Sequence, residues 1–261
     1  MTRSRPAIAA RSPRAASERR GEKGRLSERT ASRRKKAKSH LAERRPTERQ
    51  PANRRKPGRP RDAALSARRQ AEILEAATAF FAEAGYAKAD VQLLADRLEV
   101  GKGTIYRYFA SKERLFLAAV DHGMRRLKED VDAAAARATS PLGRVEAGVH
   151  AYLAFFARHP EIVELLILER AHFRDRKAST YFVHRQANVG PWQELIRGLI
   201  RAGVVRKIPV EQITDVLSDL LYGTMFTNFF AGQRQPPERQ ATALLDIIFH
   251  GLLVPSELRR T

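Results

Sequence analysis

The 261-residue sequence contains no cysteine, which excludes disulfides, thiol redox sensing and thiolate metal sites. No apolar run approaches the roughly 20 residues that a bilayer-spanning helix needs. Acidic residues are scarce at one end. Residues 1–61 carry 22 Lys+Arg against 5 Asp+Glu, whereas residues 62–261 carry 27 against 24, so nearly all of the net +20 charge sits in the first quarter. That quarter is also almost free of Val, Ile, Leu, Phe and Trp, and cannot offset the entropy of ordering its backbone. Residues 1–61 therefore read as a disordered basic extension on a near-neutral folded body. The seven histidines show no close metal-ligand spacing such as an i, i+4 pair, so neither a metal nor a cofactor is expected. No Ser/His/Asp arrangement or Gly-rich phosphate loop stands out, and no enzymatic activity is expected. The basic start lacks the apolar stretch of a secretory signal.

What is present is concentrated between Val91 and Phe109. Val91, Leu94, Ala95 and Leu98 recur at i, i+3, i+4, i+7 and give one apolar stripe on a short helix. Glu99-Val100-Gly101 reads as a tight glycine-bearing turn. A second short helix follows, with Lys102, Gly103, Thr104, Tyr106, Arg107 and Tyr108 available for contacts, while Ile105 and Phe109 face the core. Two helices joined by a short turn, with polar groups on the second, form the helix-turn-helix pattern. A helix in the major groove offers three or four side chains to base edges. Arg107 suits a bidentate contact to guanine, Lys102 and Thr104 suit phosphate or base, and the Tyr106 and Tyr108 hydroxyls reach phosphate. Lys112 is expected to clamp the backbone. A helix-turn-helix behind the basic start points to a cytoplasmic, nucleoid-associated address in a bacterial cell.

Extended to residues 66–121, the segment resembles the DNA-binding domain of the TetR family. The resemblance rests on Ile73-Leu-Glu-Ala-Ala77, Phe80-Phe-Ala-Glu-Ala-Gly-Tyr86, Leu94-Ala95, Gly103-Thr-Ile-Tyr-Arg-Tyr-Phe109 and Ser111-Lys-Glu-Arg-Leu-Phe116. It implies DNA-contacting roles for residues 104, 106, 107, 108 and 112. It also implies an all-α fold: a helix-turn-helix domain over residues 62–121 and a helical effector-binding and dimerisation domain over residues 122–255. Two positions depart from the family pattern. Gly101 stands where a serine hydroxyl usually caps the recognition helix, and Ala89 replaces a common phosphate-binding threonine.

The end of the basic extension, Arg55-Lys-Pro-Gly-Arg-Pro-Arg61, resembles an AT-hook core. Pro57 and Pro60 favour an extended backbone slim enough for a minor groove, where Arg59 and Arg61 would meet the negative potential of A·T-rich DNA. A plain solvated linker is the competing reading.

Further along, helices are expected over about 66–84 (with Ser66 as N-cap), 111–137, 142–159, 160–173, 179–202, 210–231 and 237–253, with a kink near 188–190 ahead of Pro191. Ile213, Val216, Leu217, Leu220, Leu221 and Thr224 make one apolar stripe, and Leu244, Leu245, Ile248, Leu252 and Leu253 make another. These last two helices are the expected homodimer face, since operators mirror the twofold symmetry of their readers. An apolar effector pocket is expected among Tyr152, Phe156, His172, Phe173, Trp192, Tyr222 and Phe226, with His150, His172 and Asn228 as polar anchors. The resulting expectation is a dimeric repressor on a palindromic duplex operator, released by a small apolar or aromatic molecule. The alternative is an architectural, nucleoid-like protein that binds DNA through its basic tail.

Overall fold

The computed structural model describes residues 63–232 and 235–252, which lie within one compact unit. Arg59, Arg61, Leu253 and the rest of the basic extension fall outside these residues. The described residues form nine helices and no strand: α1 Ala63–Ala84, α2 Val91–Arg97, α3 Lys102–Tyr108, α4 Lys112–Arg137, α5 Pro141–Arg158, α6 Pro160–His172, α7 Thr180–Arg201, α8 Val210–Ala231 and α9 Pro237–Leu252.

Side-chain caps set several of the boundaries. Asp90 accepts from the Gln92 amide at 2.8 Å to start α2, Ser111 accepts from Arg114 at 3.1 Å to start α4, and Ser140 accepts from Gly143 at 2.9 Å to start α5. Each supplies an acceptor for an amide that a helix N-terminus leaves unpaired. Pro141 and Pro160 occupy first-turn positions, where a missing N–H costs nothing. α1 starts earlier than its expected Ser66 cap: Ala63, Ala64 and Leu65 continue the helix N-terminally, as their propensity favours, and Ser66 lies within it. Gly85, at φ +69°, closes α1 in the left-handed region that suits glycine.

The turn between α2 and α3 is tight, as its sequence reading has it, and Gly101 is the N-cap of α3. The left-handed residue is Glu99, at φ 52°, whereas Gly101 sits at φ −68° in extended backbone. Val100 N–H donates to the Ala95 carbonyl at 3.0 Å and Glu99 N–H donates to that of Asp96 at 3.1 Å. These two bonds satisfy the last carbonyls of α2 and hold Glu99 in the position usually taken by glycine. Gly101 then starts α3 with no side-chain cap.

α1, α2 and α3 close around Ile73, Ala77, Phe80, Phe81, Val91, Leu94 and Ile105, all buried. Leu115, Phe116 and Ala119 of α4 complete that core, while Met124 and Leu127 further along the same helix are buried in the body. The expected domain boundary at 121/122 thus falls inside a continuous helix, which also packs on α1, α5, α6 and α7. α7 runs on through Pro191 as one helix. On α8, Ile213, Leu217 and Leu221 turn towards the chain's own core, whereas Val216 (61% exposed) and Leu220 (38%) turn outward; on α9, Leu245 is buried and Ile247 is 72% exposed. The two expected stripes therefore each cover mainly the protein's own interior, with Val216 and Leu220 as the members that turn outward.

Phe116 meets Phe81 at 5.2 Å between ring centroids, Tyr86 at 5.0 Å and Phe173 at 5.5 Å. Phe116→Ala should lower unfolding free energy by about 3–5 kcal/mol, measured by denaturant unfolding; a loss under 1 kcal/mol would show that these aromatics do not hold head to body.

Candidate functional sites: the helix-turn-helix face and an interior cavity

On α3, Ile105 is fully buried and Phe109 nearly so, which fixes the roll of the helix. That roll leaves Gly103, Tyr106 and Arg107 exposed and Lys102, Thr104 and Tyr108 half-buried. Tyr108 packs partly on the core, and the Arg107 guanidinium lies 5.4 Å from its ring centroid. Tyr108 thus supports Arg107 from below while Arg107 stays accessible.

A second basic element sits beside α3. Lys102 Nζ donates to Asp90 Oδ1 at 3.2 Å. Lys112 Nζ donates to the Ala87 carbonyl at 3.2 Å and lies 4.9 Å from the Tyr86 ring centroid. Partial burial lowers the Lys112 pKa, against the pull of Asp90. The Asp90 carboxyl titrates below its ordinary value, chiefly through the Gln92 amide and then through Lys102. Two lysines from different helices thus converge on the start of α2, held by contacts that a phosphate can replace. Ala89 is buried, so the threonine position of the family pattern is here a packing position.

In the body, α4, α5, α7 and α8 line a cavity of about 180 Å³ that opens to solvent past Lys128 and Asp132. Met124, Leu127 and Val131 form its α4 wall, Val145 and Val149 its α5 wall, and Leu217 and Leu221 its α8 wall. Tyr152 and Trp192, expected from sequence, both line it. The other five expected pocket residues lie elsewhere. Phe156 is buried in the core against Tyr152 and Phe155. His172 and Phe173, at the end of α6, reach the corner between α1 and α2 and pack on Tyr86 at 5.1 and 4.9 Å. Tyr222 and Phe226 form an aromatic row with Tyr181 and Phe230. Of the expected anchors, His150 is not part of the lining, and Asn228 is paired with Gln240 across α8 and α9 at 2.7 Å.

Sequence reasoning missed Tyr181, His184, Arg185 and Asn188, which line the cavity from α7. With Trp192 they recur at i, i+3, i+4, i+7 and i+11, one face of a helix. That stripe mixes polar and aromatic residues, so a search for aromatics alone passes over it. Trp192 is admitted by Gly148 on α5: a Cβ at that position would lie 2.7 Å from the indole Cη2.

At the cavity wall the Tyr152 and Tyr181 hydroxyls are 2.9 Å apart, and Tyr152 Oη is 3.9 Å from Met225 Sδ. Burial pushes the Tyr181 pKa up to about 12 and raises that of Tyr152 well above its ordinary value. His184 Nε2 lies 2.7 Å from Asp121 Oδ1 on α4. Arg185 binds Asp219 at 2.6 Å and Asp215 at 3.0 Å, and Lys128 pairs with Asp132.

A helix-turn-helix head joined by one long helix to a helical body with an internal cavity is the architecture of a DNA-binding transcriptional regulator. Residues 73–119 match the family model described as bacterial regulatory proteins, tetR family. The HTH-type transcriptional repressor KstR of Mycobacterium tuberculosis is 28% identical over 156 residues, covering 58% of this chain and 67% of that protein. The KstR of Mycolicibacterium smegmatis is 31% identical, with 38% of this chain and 48% of the relative aligned. The chain therefore spans about half to two thirds of the length of these repressors. A crystal structure of a transcriptional regulator from Pseudomonas aeruginosa superposes with a TM-score of 0.61 at 18% identity, covering 71% of this chain and 90% of its own, which is a likeness of fold. Residues 73–119 are thus a tetR-family DNA-binding region, and the relatives matched beyond it are named as transcriptional repressors. The basic-tail architectural reading is not favoured by these relatives. No helix among the described residues is long and apolar enough to cross a membrane.

The raised tyrosine pKa values set a pH dependence. Above pH 10 the unfolded chain loses phenolic protons that the folded state keeps, so stability declines as pH rises. Between pH 10 and about pH 12 Tyr181 accounts for about 2–3 kcal/mol of that loss, and Tyr181→Phe should flatten the decline in denaturant titrations. An identical slope in the variant would contradict it.

Proposed function

We propose that the protein is a homodimeric repressor that holds a palindromic operator through paired α3 helices and leaves it when a small molecule enters the cavity. The placement of the cavity carries this reading: its α4 wall, Met124 to Val131, belongs to the helix whose first turns, Leu115 to Ala119, complete the core of the reading head. A ligand between α4 and α7 acts directly on the element that orients α3. In this reading Arg107 and Thr104 reach base edges, Tyr106 and Tyr108 reach phosphate, and Lys102 and Lys112 exchange Asp90 and the Ala87 carbonyl for phosphate oxygens. Arg59 and Arg61 add minor-groove contacts. Residues 1–61 act as the basic extension, 62–121 as the reading domain and 122–255 as the effector and dimerisation domain.

The outward faces of α8 and α9 support the dimer. Val216, Leu220, Gly223, Thr227 and Phe230 recur at i, i+4, i+7, i+11 and i+14 and are all exposed, with Ile247 exposed on α9. Spacing of this kind, alternating four and three, suits packing against a second helix pair. Leu220→Lys combined with Ile247→Lys should convert a dimer into a monomer in sedimentation analysis. A dimer that survives both substitutions would remove these faces from the interface.

Footprinting on DNA upstream of the gene should show a twofold-symmetric site. Arg107→Ala should weaken operator binding about tenfold and reduce the preference for operator over random DNA. Arg59→Ala with Arg61→Ala should weaken it at low salt while keeping the footprint. An asymmetric or absent footprint would refute the repressor reading.

A further inference from the structure

Building on the cavity as the effector site, we propose that the effector is an uncharged, mainly apolar molecule carrying one carbonyl or hydroxyl oxygen, which the Tyr152–Tyr181 pair reads.

The charge pattern of the lining excludes an anion as the preferred ligand. Besides the two phenols, one acidic and three basic side chains line the cavity: Asp132, and Lys128, His184 and Arg185. Each basic one already has a carboxylate partner. Lys128 pairs with Asp132, His184 with Asp121, and Arg185 with both Asp215 and Asp219. The Arg185 cluster carries more carboxylate than guanidinium charge, so an entering carboxylate or phosphate would meet net negative charge. An entering cation would find carboxylates that are already engaged. Transfer of an unpaired ion from water into this apolar interior is strongly unfavourable.

The hydrogen-bond inventory points to a neutral oxygen. Two phenols hold two O–H groups, and one of these spans the 2.9 Å gap between the hydroxyls. The other has only the Met225 thioether within reach, at 3.9 Å from Tyr152 Oη, and sulfur is a weak acceptor. One buried donor is therefore underused, in a wall that joins Val, Leu, Met and Trp side chains to the paired ions above and to Asn188, Thr214 and Ser218. A carbonyl or hydroxyl oxygen accepts from Tyr152 while Tyr181 donates to Tyr152, so that both protons are used and the two bonds polarise each other. Burial keeps both phenols protonated, as donors, across the physiological range. Trp192, admitted by Gly148, adds apolar surface along the same α7 face as Tyr181.

Three probes with one hydrocarbon frame separate the possibilities: tert-butylcyclohexane, 4-tert-butylcyclohexanone and 4-tert-butylcyclohexanecarboxylate. Trp192 is the sole tryptophan, so its emission in the full-length protein reports occupancy directly. The ketone should bind about three- to tenfold tighter than the hydrocarbon, the worth of one neutral hydrogen bond, and the carboxylate should bind weakest. Tyr152→Phe, which keeps the ring, should erase the ketone's advantage, whereas Tyr181→Phe, which removes only the bond to Tyr152, should reduce it without erasing it; both should leave hydrocarbon affinity within about twofold. Tightest binding by the carboxylate, or a ketone advantage undiminished in Tyr152→Phe, would overturn the proposed chemistry and leave the cavity as an effector site of another class. Silence of Trp192 towards all three probes would overturn the cavity reading itself.

Discussion

Phe116 stands on the second turn of α4, where one ring meets aromatics from three other segments: Phe81 near the end of α1, Tyr86 in the corner before α2, and Phe173 at the end of α6. Because the ring is fully buried, displacing it opens a cavity in the reading head and in the body together. Interiors at this packing density do not deform gradually. The head therefore moves with the start of α4 as one piece, and Tyr86, His172 and Phe173 extend the same contact outward. Lys112 rests on the far side of Tyr86 at 4.9 Å, so the aromatic joint also positions a basic group beside α3. DNA reading and body packing share this one joint.

Much of the head was legible in the sequence. The Ile73–Phe81 stripe, the period of Val91, Leu94 and Ala95, and the pair Ile105 and Phe109 fixed which faces turn inward, since only one roll of each short helix buries them. Ser111 and Pro160 marked helix starts through their own local chemistry. The α2–α3 turn was less legible. Gly101 caps α3 where the sequence puts the cap, but the bonds from Val100 to Ala95 and from Glu99 to Asp96 also set Glu99 in a left-handed conformation that its side chain does not signal. Which residue takes positive φ depends on where α2 stops, and a one-residue difference is beyond what composition encodes.

The cavity was less legible still, for a different reason. Aromatic residues are spread over α5 to α8, and sequence alone ranks them by size. What selects Tyr152, Tyr181 and Trp192 is the crossing of α5 and α7, which Gly148 permits by leaving room for the indole. Phe173 and His172 carry the same chemistry but belong to the aromatic joint, because α6 ends beside the α1–α2 corner. The outward faces of α8 and α9 show the same limit. Leu217 and Leu220 lie three apart and look equivalent as sequence, yet the first packs on the core and the second is exposed. A stripe broader than one face is shared between the interior and the surface, and only tertiary packing divides it.

The relative strengths of the contacts along α4 decide what a ligand can shift. His184 joins α7 to Asp121 at 2.7 Å, and Arg158 joins α5 to Asp130 at 2.8 Å. Asp121, Asp130 and Arg158 keep about half of their side-chain surface in solvent, where such pairs contribute roughly 0–1 kcal/mol each. The apolar contacts of Met124 and Leu127, both buried, are worth about 1.5–3 kcal/mol per side chain. Coupling free energies between sites are typically about 1–3 kcal/mol. Breaking polar tethers alone gives too little resistance to define two states. Repacking Met124 and Leu127 around an occupant falls within that range, and those side chains are a wall of the cavity and the continuation of the helix that Phe116 anchors. On the proposed reading, the apolar wall of α4 sets the size of the response, and the ion pairs around it set its direction by resisting some tilts of the helix more than others.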